Sequence, residues 1–270
     1  MRHWTLDDIP WDRLDHSKLD QDIVRIVKAA SLVEYNGAAY AHHLCRIFHD
    51  DPDFQQAARY WGEEEIQHGQ ALARWAAIAD PSYDFEFAFS RFQAGHKVDF
   101  NSDASRRGSR AGEMIARCMV EVGTSSYYSA LRDGVREPVL KEICRNIAAD
   151  EIRHYKLFYK TLTRCLERER IGLLRRLRVA FGRIAEARDD ELAYAYYAAD
   201  DTGGPYDRRR HSRAYAKRAL ALYQEHHVRH IIVMAFKTVG LARSPLVRVA
   251  SRLAWNVMRY RAIRLARVAA

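Results

Sequence analysis

Apolar residues recur three and four positions apart along most of this chain, the interval of a helix with one buried face. The pattern predicts four long helices in the first two thirds of the sequence. The first covers residues 19–47. The second starts at "DDPDF", with Asp51 as N-cap and Pro52 at the first helical position, and ends near Ala79. The third covers residues 105–132 and stops at Gly134. The fourth begins after "REP", with Pro138 in its first turn, and ends near Arg168. Residues 80–104 join the second and third helices. They are too many for a tight turn, and they suit the crossover that lets one up-down helix pair pack on another. Strand signal is nearly absent; "YDFEFAF" alternates briefly but lies inside this crossover.

Beyond residue 170 the period stays helical. Residues 171–198 read as one helix with a break, "DDTGGPYDRRR" reads as a linker, and helices follow over residues 212–239 and 245–268. In the last of these, Arg248, Arg252 and Arg259 share one face, and Leu246, Val249, Leu253, Val257 and Tyr260 share the other. The expected arrangement packs the apolar face on the bundle and leaves the arginines in water. A helix lying on a membrane surface is the alternative. The chain therefore reads as all-α, with a four-helix unit and N-terminal extension over residues 1–168. A basic helical region packs on it over residues 169–270.

Composition supports a helical protein with a substantial core: 48% of residues are hydrophobic, and only 13 are glycine and 6 proline. None of the four cysteines, Cys45, Cys118, Cys144 and Cys165, forms a C-x-x-C pair, so they read as reduced core residues. The polar, acidic start lacks the pattern of a secretory signal, and "HIIVMAFKTVGLA" is broken by Lys237, too short to span a bilayer. A cytoplasmic location is expected. The charge of +9 is uneven: residues 161–270 carry 23 Lys/Arg against 10 Asp/Glu, and the preceding part is slightly acidic. The basic part suits an acidic carrier protein, an anionic membrane or, less well, a nucleic acid. It also suits a plain solvated face.

The candidate chemistry lies in the acidic part. "WGEEEIQHG" holds Glu65 and His68, and "AADEIRHYKLF" holds Glu151 and His154, each a Glu-x-x-His. Glu65 to Glu151 and His68 to His154 are both offset by 86 residues. The helix before each motif carries a glutamate in a small, apolar run: Glu34 in "SLVEYNGAAY" and Glu121 in "CMVEVGTSSYY". Buried carboxylates need countercharge or protons. Four carboxylates balance two divalent cations, and two imidazoles complete the shells. Glu34, Glu65, His68, Glu121, Glu151 and His154 thus read as ligands of a dinuclear site, of the kind that carboxylate bundles use for iron or manganese. Glu113 reads as a surface residue beside Arg110 and Arg117. "QEHHVRH" groups Glu225, His226 and His230 as a weaker candidate.

At these motifs, over roughly residues 25–165, the chain resembles the ferritin-like di-iron carboxylate superfamily. Within it, the motifs are most similar to those of soluble acyl-carrier-protein desaturases and related O2-activating enzymes. The resemblance implies a ferritin-like bundle holding two iron ions, with manganese or a mixed pair as variants. It implies that Asp150 orients His68 and Glu64 orients His154, and that Thr124 faces the O2 side of the metals with a catalytic role. The activity implied is desaturation or hydroxylation of an apolar, carrier-bound acyl substrate, served by O2 and an electron donor, with a homodimer allowed. Ferroxidase or peroxidase action and tRNA hydroxylation are the alternatives. Arylamine N-oxygenases of this fold carry a histidine where this chain has Ile147. Gly37 and Gly123, beside Glu34 and Glu121, suggest room near the metals or a local helix distortion. Tyr35, Tyr40, Tyr127 and Tyr128 offer aromatic pocket walls.

Overall fold

A computed structural model describes residues 3–96, 103–186, 190–200 and 204–267, and among them the regular structure is all helical. Three short 3-10 turns over residues 6–18 lead into α1, Gln21–Tyr35. The helix predicted over residues 19–47 is broken: α1 ends at Tyr35, Asn36 caps it, and α2 runs Gly37–Ile47. Asn-Gly is a poor helical pair, and tertiary packing adds a second reason. A Cβ on Gly37 would lie 2.3 Å from the Cβ of Glu65, so only glycine lets α2 approach so closely here.

α3 spans Pro52–Ala79, and Asp51 caps it by accepting from the Phe54 amide at 3.0 Å. The crossover contains α4, Phe85–Gly95, where the sequence showed only a long connection; residues 97–102 lie outside the described part. α5 spans Arg110–Gly134 behind the cap Ser109, later than the predicted start at residue 105. α6 spans Pro138–Glu169. Its cap, Glu137, is buried yet satisfied: it accepts from the Val139 and Leu140 amides and from the Trp75 indole at 2.7 Å.

The later chain forms α7 (Leu173–Glu186), α8 (Asp190–Ala199), α9 (Arg208–Ala221), α10 (Glu225–Val239) and α11 (Leu246–Arg267). The helix predicted over residues 212–239 is two, α9 and α10. α9 begins inside the expected linker because Asp207 accepts from the Arg210 amide and caps it. Residues 201–203 of that linker lie outside the described part.

α1 and α2 pack along α3, α5 packs along α6, and α3 meets α6. α8 lies on α1, α7 and α10 lie on α5, and α11 rests on α9 and α10. Two hydrophobic cores result. One gathers Leu32, Leu72, Trp75, Tyr128, Leu140 and Ile147; the other gathers Leu44, Trp61, Met114, Val122, Tyr155 and Phe158. On α3 the first core begins after His68 and the second ends before Glu65; on α6, Glu151 and His154 occupy the same gap. The carboxylate-imidazole residues form the seam between the cores.

α11 departs from the expected arrangement. Its apolar face, Leu246, Val249, Leu253, Val257 and Tyr260, points away from the bundle and is exposed. The half-buried positions, Ala250, Ala254, Trp255 and Met258 among them, lie on another face of the helix, which packs on α9 and α10. α7 likewise leaves Leu174 and Phe181 exposed. No helix among the described residues is long and apolar enough to cross a membrane.

Candidate metal centre

The break after α1 and the long helices α3, α5 and α6 bring the six predicted residues to one place, all buried. They form two overlapping groups. Glu34, Glu65, His68 and Glu151 make one; Glu65, Glu121, Glu151 and His154 make the other. Within each group the potential ligand atoms lie within 4.8 Å of one another. Glu65 and Glu151 belong to both, and Glu34 and Glu121 sit at opposite ends. His68 Nδ1 is 3.5 Å from Glu151 Oε1, and His154 Nδ1 is 3.2 Å from Glu65 Oε1. The imidazole ring centres are 5.7 Å apart.

The far nitrogen of each histidine is held from behind. His68 Nε2 donates to Asp150 at 3.0 Å, and His154 Nε2 donates to Glu64 at 2.8 Å. A proton on Nε2 leaves a lone pair on Nδ1, facing the other carboxylates, which is how carboxylates prepare a histidine for a metal. Among the described residues these atoms find no hydrogen-bond partner: His68 Nδ1, His154 Nδ1, Glu121 Oε1 and Glu151 Oε1 are buried and unsatisfied. Orphaned acceptors of this kind are costly, and a divalent cation satisfies them. The residues present therefore fit two metal ions, in donor type, number and aim.

Electrostatics agree. Burial and the neighbouring Glu151 and Glu34 charges push the Glu65 carboxyl well above its usual range. Burial, with the Glu121 and Glu34 charges, takes Glu151 to about 8. Burial alone would lower His68 and His154; hydrogen bonds to carboxylates reverse this and raise both. Glu34 goes the other way, because its burial is outweighed by the neighbouring His68 and Glu65 and by the hydrogen bond from Tyr128. Without countercations the cluster holds protons, as crowded carboxylates must. Glu64 escapes to about 2, since its bonds to His154 and Arg153 overcome burial.

Further side chains touch the cluster. Thr124 Oγ1 lies 2.5 Å from Glu151 Oε2 and also within reach of the Val120 and Glu121 carbonyls, so one hydroxyl joins α5's backbone to a shared glutamate. Tyr128 donates to Glu34 at 2.5 Å. The sequence offered Tyr128 only as pocket wall. The other three tyrosines have other partners: Tyr40 donates to Glu191, Tyr35 packs on Phe85 and Phe89, and Tyr127 packs on Tyr128. Arg153 ties Glu64 to Asp150, and Trp4 donates to Asp150 at 2.7 Å while stacking over His68. Arg153 was legible as the Arg of "DEIRH". Trp4 was not, because nothing local in the sequence ties it to a residue 146 positions away.

Two assignments change. Glu113 is buried, not on the surface, and accepts from Ser105 at 2.7 Å, while Arg117 is buried against Tyr40 and Trp61. In "QEHHVRH" the residues brought together are His226 and His227 around Asp133, not Glu225, His226 and His230. His227 Nδ1 accepts from the Gln224 amide at 3.0 Å, so its Nε2 carries the proton donated to Asp133. That arrangement is a helix-start clasp.

A cleft of about 620 Å³ opens beside His154, lined by Trp4, Tyr60, Trp61, Glu63, Glu64, Arg153 and Leu157 among others. No protein-family model matches the chain, and no curated protein matches it in sequence.

Proposed function

We propose that the chain is a non-haem di-iron oxidoreductase of ferritin-like architecture that uses O2 to desaturate or hydroxylate an apolar, acyl-type substrate. One observation carries the reading: two four-residue groups share Glu65 and Glu151, with both histidine Nδ1 atoms aimed inward and unpartnered. A pair of redox-active ions held there would supply the electrons that activate O2. Manganese or a mixed pair suits the same donors.

The residues have distinct work in this reading. Glu65 and Glu151 span the two positions, and Glu34 and Glu121 close the ends. Asp150 and Glu64 fix the histidine tautomers, and Arg153 holds both carboxylates in place. Tyr128 restrains the Glu34 carboxylate. Thr124 holds a proton at Glu151 Oε2, where it can be delivered during turnover. The two cores exclude water on either side. An electron donor is the partner this chemistry would require, and the basic helices suit an acidic carrier protein for the substrate.

Ferroxidase or peroxidase-type iron handling is the second reading. The cleft at His154 favours it in one respect, since it opens to the surface with Glu63 on its wall rather than forming a closed apolar channel. The deciding experiment is metal analysis with rapid mixing of the reduced, iron-loaded protein and O2. About two irons per chain and a transient absorbing species, both lost in Glu151→Ala, would support the centre. No metal retained after iron or manganese reconstitution would sink it. Product analysis with acyl substrates then separates the two readings.

A further inference from the structure

The outward ridge of α11 has no partner among the described residues. Leu246, Leu253 and Val257 are each 60% exposed, and Val249, Tyr260 and Ile263 extend the same line. The helix is 22 residues long, roughly 33 Å at helical rise, so the ridge is long and stands out from the surface. Arg248, Arg252 and Arg259 flank it and are exposed. No Asp or Glu follows Glu225 anywhere in the sequence, and seven arginines lie between Arg243 and Arg267.

We propose that α11 seats this protein on an anionic lipid surface, with the ridge in the boundary between headgroups and acyl chains and the arginines on lipid phosphates. Charge decides among occupants. A second copy, paired face to face, would bring arginine flanks together with no carboxylate on either helix to relieve them. An acidic protein would answer the arginines, but a protruding ridge needs a matching apolar groove. A fluid bilayer moulds to such a ridge and supplies the phosphates. The helix also fits the interfacial pattern of one apolar face, a basic flank and low net hydrophobicity. Since no helix among the described residues can span a bilayer, the association would be peripheral. The inference is independent of the metal centre.

The test is vesicle flotation of the full chain, with phosphatidylcholine alone and with about one third phosphatidylglycerol. Capture is expected only by the anionic vesicles, weakening as salt rises. A Leu253→Glu, Val257→Glu double variant should reduce capture about tenfold or more with an unchanged melting temperature, because both residues are exposed. Should that variant melt early, Arg248→Gln, Arg252→Gln, Arg259→Gln provides the second reading and should weaken capture several-fold while keeping the ridge. Absence of capture, or capture indifferent to both variants, would overturn the proposal. So would a lipid-free dimer that the ridge variant dissolves, or capture by polyglutamate but not by vesicles.

Discussion

His68 and His154 show how far a single residue's role depends on the atom behind it. Each imidazole gives its Nε2 proton to a carboxylate, so the neutral ring presents the Nδ1 lone pair to the cluster. Asp150→Asn and Glu64→Gln should each weaken metal retention about 10- to 100-fold, read by competition with a chelator, with little change in helicity. The same residues set a pH signature. In the metal-free protein, Glu151 has its folded value raised to about 8, and both histidines are raised. A raised group binds its proton more tightly when folded, so its contribution to stability is complete below its unfolded value and is lost as pH rises. The melting temperature in chelator should therefore fall between about pH 6 and about pH 8. A rise over that interval would contradict the assignment. The six ligand candidates were legible because Glu-x-x-His repeats at a fixed offset. Trp4 and Tyr128 were not, because their contacts depend on how distant segments meet.

At the scale of elements, the informative positions are the glycines and the helix breaks. Gly37→Ala would force a Cβ against Glu65, and it should cost about 1–3 kcal/mol and impair metal loading. Gly123 is the opposite case, since a Cβ there meets nothing within 4 Å. Gly123→Ala should stabilise the fold by about 1 kcal/mol in chemical denaturation. The break at Asn36 hid behind continuous apolar periodicity on both sides, although Asn-Gly is itself a turn signal. Glu113 misled for a related reason. A charged residue beside arginines reads as wet, and the Ser105 hydroxyl that accompanies it into the interior precedes the helix. Pro52, Pro138 and Asp51 marked helix starts correctly because capping is local chemistry.

For the whole molecule, the arrangement of two cores around a charged seam implies a conflict between stability and function. Crowded carboxylates oppose folding unless something neutralises them. Glu65→Gln should raise metal-free stability at about pH 8 by on the order of 1 kcal/mol, flatten the pH dependence, and abolish metal-dependent stabilisation. Thermal melts with and without added iron check all three. The all-helical class was legible from periodicity alone, and the packing of the later helices was not. Amphipathicity tells which residues share a face, as on α11, but not whether that face meets protein.

The seam also bears on the lifetime of the chain. Ions held as proposed, binding only the folded form, would tie α3 and α6 together where the two cores meet, and would add stability in proportion to the logarithm of their concentration. With metal scarce that fastening would be lost, and the seam would open more often and expose cleavable backbone. Proteases act on such transient openings. The abundance of this protein would then follow the metal supply, with no dedicated sensor, through its rate of degradation.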